Sequence, residues 1–126
     1  MIKVAVGIYL KDSKVLVVSR KMGGYGFPGG KVDKDERISD ALIREVKEET
    51  GLDVSAYRLL GTESFDGFRV YYYMMDLENE NIYILEDNEC FFMDFDEFDV
   101  ESFHPKNNEF LDLAREMRNK KEMQKA

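Results

Sequence analysis

The chain has 126 residues, a net charge of −8, a hydrophobic fraction of 44% and one cysteine. That size suits a single domain, predicted over residues 1–126 and large enough for a sheet with a few helices. So acidic a chain lacks the basic surface that nonspecific nucleic-acid binding needs, no apolar run is long enough to cross a bilayer, and Cys90 alone makes no intramolecular disulfide. A strand-like start with no basic leader, together with the lone cysteine, predicts a cytoplasmic protein. Cys90 reads as a small core residue rather than a nucleophile, because the one histidine is distant in sequence.

Met1 to Leu10 is nearly continuous in apolar character, as expected for a central strand. Lys11-Asp12-Ser13-Lys14 reads as a turn and Val15 to Ser19 as a second strand, ended by Arg20 and Lys21. Met22 to Gly30 holds five glycines and a proline and reads as a loop. Glycine at Gly29 and Gly30 allows close approach of the backbone to a ligand.

A helix follows, with Ser39 or Asp40 as its N-cap and Gly51 as its left-handed stop. At about 100° per residue, Ile38, Ala41, Leu42 and Val46 form its apolar stripe. Glu45 and Glu49 fall within roughly 20° of Ile38, so they point towards the packed side, with Glu48 on its flank. Residues three and four apart place these three carboxylates in one cluster. Each like-charge pair costs on the order of 3 kcal/mol at an effective dielectric near 20, so an inward cluster calls for a cation or for a proton on one member. Carboxylate oxygens without thiolate or imidazole suit hard cations, Mg²⁺ or Mn²⁺. The plainer reading is a solvated, ion-paired helix; the inward direction of Glu45 and Glu49 weighs against it.

Asp53 to Phe65 reads as an irregular extended segment and Asp66-Gly67 as a hairpin turn. Phe68 to Met75 is a strand whose faces alternate, with Phe68, Val70, Tyr72 and Met74 opposite Arg69, Tyr71, Tyr73 and Met75. Short strands are expected over Ile82–Leu85 and Cys90–Phe95, with the acidic stretch Glu86 to Glu89 between them. Asp94 to Phe98 is predicted to start a helical turn with Phe95 and Phe98 inward. Asn108 to Met123 is predicted as an amphipathic helix with Phe110, Leu111, Ala114 and Met117 on one face and a frayed charged tail. Asn107 reads as its N-cap, and His104 as a surface loop residue.

The spacing from Gly30 through Glu36 to Arg44-Glu45-Val46-Lys47-Glu48-Glu49-Thr50-Gly51-Leu52 resembles the Nudix box, G-x5-E-x7-R-E-U-x-E-E-x-G-U, with U apolar. At roughly 7% usage per residue, seven fixed identities coincide by chance on the order of once in 10⁸ starts. Tyr25-Gly26-Phe27-Pro28-Gly29-Gly30 is similar to the family's aromatic-x-[FL]-P-G-G lead-in, with tyrosine where tryptophan is common. The resemblance implies an α/β/α sandwich around a mixed sheet, of α+β type. It implies hydrolysis of a nucleoside diphosphate linked to another moiety, a small-molecule substrate, with the protein a monomer or homodimer. By position, Glu48 and Glu49 would be the main metal ligands, joined by the Gly30 carbonyl and by Glu45. Arg44 would orient Glu45, and Glu36 would be a structural or outer-shell partner. Arg20 and Gly29 would meet substrate, Arg20 either at a phosphate or simply as a solvated strand end. Glu45, Glu89 or Glu86 would be the base. Phe103-His104-Pro105-Lys106-Asn107 resembles the F-x-P-x-N run of the MutT-like branch, in which the asparagine reads a purine of 8-oxo-dGTP. Dinucleoside polyphosphates, nucleotide sugars and capped RNA are alternative substrates. A non-catalytic nucleotide sensor is the alternative of another class.

Overall fold

The computed structural model describes residues 1–21, 23–82, 89–120 and 122–126. Among these residues two sheets and three helices make an α+β arrangement around a mixed sheet. In the mixed sheet the strand order is β5 (Gly29–Lys31), β1 (Ile2–Ile8), β7 (Phe68–Leu77), β6 (Val54–Phe65) and β9 (Gln124–Lys125). β1 runs parallel to β7, with Ile2 opposite Phe68 and Ile8 opposite Met74; its other neighbour, β5, is antiparallel. The second sheet joins β2 (Leu10–Lys11), β3 (Lys14–Ser19), β4 (Tyr25–Gly26) and β8 (Cys90–Asp94), with β8 antiparallel to β3.

The unbroken apolar character of β1 follows from burial on both faces. Ala5 packs with Ala41, Leu42 and Val46 of α1 (Ile38–Thr50), and with Tyr73 and Met75 of β7. Val6 and Ile8 face the other way, into a core shared with Val15 and Val17 of β3 and with Val70, Tyr72 and Met74 of β7. Phe95 and Phe98 of α2 (Phe95–Glu101) and Leu111 and Ala114 of α3 (Pro105–Met117) close that core. The alternation predicted along Phe68 to Met75 is the one observed, and Phe95 and Phe98 do point inward.

Several expectations are corrected. β6 is one continuous strand of 12 residues, not an irregular segment. Its register shifts at Val54/Ala56 and Leu59/Gly61 scramble the alternation that would have marked it. Part of the glycine loop is paired as β4 and β5. Helix α1 starts at Ile38 with Arg37 as N-cap, so Ser39 and Asp40 lie inside it; Asp40 pairs with Arg37 at 3.2 Å. Its end is as expected, with Gly51 at φ 75°. Asp66 and Gly67, at φ 53° and 81°, form the hairpin between β6 and β7. Helix α3 begins at Pro105 rather than Asn108, and Gln124 and Lys125 beyond it pair with β6 instead of fraying. The strand expected over Ile82–Leu85 falls largely outside the described residues. No helix of the described residues is long and apolar enough to cross a membrane.

Gly29 sits at φ 148°, and a Cβ built there would run into the Ala5 carbonyl oxygen and the Val6 backbone across the β1–β5 pairing. Neither obstacle is a flexible side chain. Gly29→Ala is therefore expected to lower stability by about 2–4 kcal/mol, the sum of backbone strain and overpacking, read as a fall in the chemical denaturation midpoint.

Candidate active site

Helix α1 presents its glutamates to the β5 edge because β5 is the strand under its C-terminal half, where two glycines allow close approach. Glu49 is 4% exposed, and the Gly29 amide donates to its Oε1 at 2.6 Å. Arg20, just beyond β3, donates from Nη1 to Glu49 Oε2 at 3.4 Å and from Nη2 to the Phe27 carbonyl. Glu45 lies over Gly30 so closely that any Cβ at that position would overlap its carboxylate. The inward reading of Glu45 and Glu49 therefore agrees with the structure. Glu48 is the more open of the three, with its side chain 43% exposed.

The carboxylates do not form one bare cluster. Arg44 grips Glu36 through Nε at 2.9 Å and Nη2 at 3.0 Å, and donates to Glu45 Oε1 at 2.8 Å and Glu48 Oε1 at 3.3 Å. Its Nη2 also donates to the Lys31 carbonyl on β5 at 3.0 Å. Glu45 and Glu48 thus meet through a guanidinium, while Glu49 is turned to Gly29 and Arg20. The hydrogen bonds from Arg44, and then the Asp33 amide, hold the Glu36 carboxyl at about 2. The same contacts push the Arg44 pKa up, Glu36 foremost, so its charge is fixed at any working pH.

Among the described residues two guanidinium groups answer five carboxylates here, Asp33, Glu36, Glu45, Glu48 and Glu49. That excess of negative charge, all on hard oxygen, fits a divalent cation of the Mg²⁺ or Mn²⁺ kind. Among the described residues no three ligand side chains already converge as a finished cage. Arg44 and Arg20 contact these oxygens, and Glu45, Glu48 and Glu49 are the residues on which a cation would draw.

Against Gly29 and Gly30 lies a cavity of about 270 Å³, whose wall includes Arg20, Lys21, Phe27, Phe68, Tyr72 and Asn107. Asn107 is 3% exposed. Tyr72 Oη donates to its Oδ1 at 2.7 Å, while Nδ2 is buried without a hydrogen-bond partner among the described residues. Asn107 is therefore not the cap of α3. His104 is, accepting from the Lys106 amide through Nδ1 at 3.1 Å, with Pro105 in the first turn. His104 also stacks on Phe65, ring centroids 3.9 Å apart. The sequence reading missed these jobs of His104 and Tyr72; the signal for the first was the His-Pro pair at a helix start. Phe65 and Phe103 also line the cavity. A wider open groove of about 460 Å³, lined by Arg37, Tyr57, Arg58 and Gln124, holds none of the carboxylate set.

Glu89 is directed elsewhere. Tyr25 Oη donates to its Oε2 at 3.1 Å, and its own amide donates to Ser19 Oγ at 3.1 Å. The hydrogen bond to Glu89 raises the Tyr25 phenol. Glu86, the other acid considered there, lies outside the described residues. Burial and then the charge of Glu49 push the Cys90 thiol up to about 12, so it is no nucleophile at neutral pH.

The depressed Glu36 carboxyl fixes a sign. Its contribution to stability is complete above its ordinary value near 4.5 and is lost as pH falls through about 2. Arg44→Met removes the main cause. The melting-temperature gap between wild type and Arg44→Met is expected to be widest above pH 4.5 and to shrink steadily towards pH 2, as followed by circular dichroism.

The chain is similar to several known proteins. An ADP-ribose pyrophosphatase of Methanocaldococcus jannaschii is 44% identical over 62 residues, covering 46% of this chain and 37% of that protein. An 8-oxo-dGTP diphosphatase of Proteus vulgaris is 41% identical over 61 residues, covering 44% of this chain and 54% of that protein. The matched stretches thus span about a third to a half of these relatives. A MutT structure, from work on Aliivibrio salmonicida and Vibrio cholerae, superposes with a TM-score of 0.75 at 22% identity, covering 89% of this chain and 94% of that one. The NUDIX domain family matches residues 1–114, a stretch that holds helix α1 and the glycine strand β5: the chain belongs to the Nudix family.

Proposed function

We propose that this protein is a divalent-metal-dependent pyrophosphohydrolase that cleaves a (deoxy)nucleoside triphosphate, intact or oxidised in the manner of 8-oxo-dGTP, to the monophosphate and pyrophosphate. The observation that carries the reading is one cavity bordered both by the Gly29–Gly30 strand under the glutamates and by aromatic rings around the buried Asn107, whose Nδ2 has no hydrogen-bond partner among the described residues. Phosphate and base of one small nucleotide can then be held at once. The names of the two curated relatives support cleavage of phosphoric anhydrides in nucleotides.

In this reading Glu45, Glu48 and Glu49, with the Gly30 carbonyl, hold Mg²⁺ or Mn²⁺. The cation supplies Lewis-acid chemistry, offsetting charge on the phosphate oxygens and lowering the pKa of the attacking water. Arg44 keeps Glu45 in place through its 2.8 Å bond, and Glu36 keeps Arg44 in place. Glu45 accepts the proton of the attacking water; Glu89 is the second choice, since its carboxylate is engaged by Tyr25. Arg20 and Lys21 border the cavity as cations for the phosphates, and Gly29 brings backbone against them. Phe27 and Phe68 offer apolar faces to the base. The unpartnered Nδ2 of Asn107 is a donor in want of an acceptor, and a keto oxygen on the base would satisfy it.

A second reading, a nucleoside diphosphate linked to a sugar, draws on the Methanocaldococcus relative. A hydrolysis screen over nucleoside triphosphates, 8-oxo-dGTP, dinucleoside polyphosphates and ADP-ribose, with products resolved, separates the two. Glu49→Gln is expected to remove Mg²⁺-dependent turnover by at least about 10²–10³-fold while the circular dichroism spectrum stays native. Unchanged turnover in that variant would end the assignment. Asn107→Ala is expected to raise KM roughly tenfold for the preferred nucleotide, the worth of about one hydrogen bond, with kcat little changed. Equal KM values would remove Asn107 from base recognition.

A further inference from the structure

The two arginines at the site are held in different ways. Arg44 is clamped by short paired bonds to Glu36 and by the Lys31 carbonyl. Arg20 reaches Glu49 through one nitrogen only, at 3.4 Å, long beside the roughly 2.7–2.9 Å of a strong charge-assisted bond. Its other terminal nitrogen is anchored on the Phe27 carbonyl. Room for this side chain depends on Gly26, where a Cβ would lie 2.9 Å from Arg20 Nε. The same Arg20 side chain, 24% exposed, also lines the cavity beside Lys21, Gly29 and Gly30. Arg20 therefore touches a carboxylate on one side and borders space open to an anion on the other.

We propose that Arg20 is an internal counter-ion, resting on Glu49 while no cation is bound and turning to an incoming phosphate when a divalent cation takes Glu49. The proposal rests on the metal reading given above. A divalent cation on Glu49 repels a guanidinium held against the same carboxylate. Arg20 accordingly weakens the binding of the cation alone. A phosphate in the cavity draws Arg20 off Glu49 and removes that opposition. By linkage, cation and phosphate then strengthen each other by the same factor. Among the described residues, turning about the Phe27 anchor breaks one long bond, that to Glu49.

The test uses the whole chain and counts free Mn²⁺ by electron paramagnetic resonance, with no nucleotide present. Arg20→Met is expected to bind Mn²⁺ about 5–10-fold more tightly than wild type, the low end of usual coupling between sites. Arg20→Lys, which keeps the charge, is expected to stay within about twofold of wild type. Orthophosphate should tighten Mn²⁺ binding to wild type, after correction for Mn²⁺ held by phosphate in solution, and should tighten it less in Arg20→Met, where only the direct attraction of cation and phosphate is left. Equal or weaker Mn²⁺ binding by natively folded Arg20→Met overturns the proposal, as does tightening by Arg20→Lys as large as that by Arg20→Met. Glu49→Gln separates the two levels. If it leaves Mn²⁺ binding unchanged, the metal reading and the counter-ion role fall together. If it weakens Mn²⁺ binding while Arg20→Met tightens nothing, only the counter-ion role falls.

Discussion

The fork of Arg44 on Glu36 is the contact on which the rest of the site depends. Three carboxylates on successive turns of one helix repel one another, and two of them face inward. A planar guanidinium pinned along one edge by Glu36 places Nη1 against Glu45 and Glu48 and ties them through Nη2 to the β5 carbonyl of Lys31. Lysine could not do this, because a point charge on a flexible stem cannot bind a carboxylate in fork geometry and reach a second and third at the same time. Glu36 belongs to the site for the same reason, although it sits outside the helix.

Two surfaces of the strand pair β1–β5 are used at once. Gly29 and Gly30 carry no side chain, so the α1 carboxylates close over one part of the strand while the cavity opens against it. A carboxylate as deeply placed as Glu49 is sustained by polar neighbours, the Gly29 amide and Arg20 among them. Such a carboxylate has little conformational freedom, which favours a defined geometry for whatever it holds.

Much of this was legible in residue order. Helical periodicity alone turned Glu45 and Glu49 inward, because Ile38, Ala41, Leu42 and Val46 fixed which side of α1 is packed. The Asp66-Gly67 turn and the two-faced strand after it were equally plain, since each depends on local chemistry. What escaped depends on partners remote in sequence. Asn107 looked like a helix cap because it is an asparagine near a helix start, yet its side chain answers to Tyr72, 35 positions away. The contact of Arg20 with Glu49 escaped too, because nothing in the order of residues shows where Arg20 will lie. β9 was unreadable for a like reason: two charged or polar residues become a strand only because β6 offers them an edge.

The parallel pairing of β1 with β7 also bears on how the protein reaches its native state. Residues 2–8 find their parallel partner only once residues 68–74 exist, across a helix, a hairpin and the whole of β6. The glycine strand hangs from the far edge of β1, so the lattice beneath the glutamates is completed by a contact of high sequence separation, which forms slowly. During synthesis a ribosome-bound fragment that stops before β7 would carry every residue of the glutamate helix and still lack the sheet that gives those residues their positions.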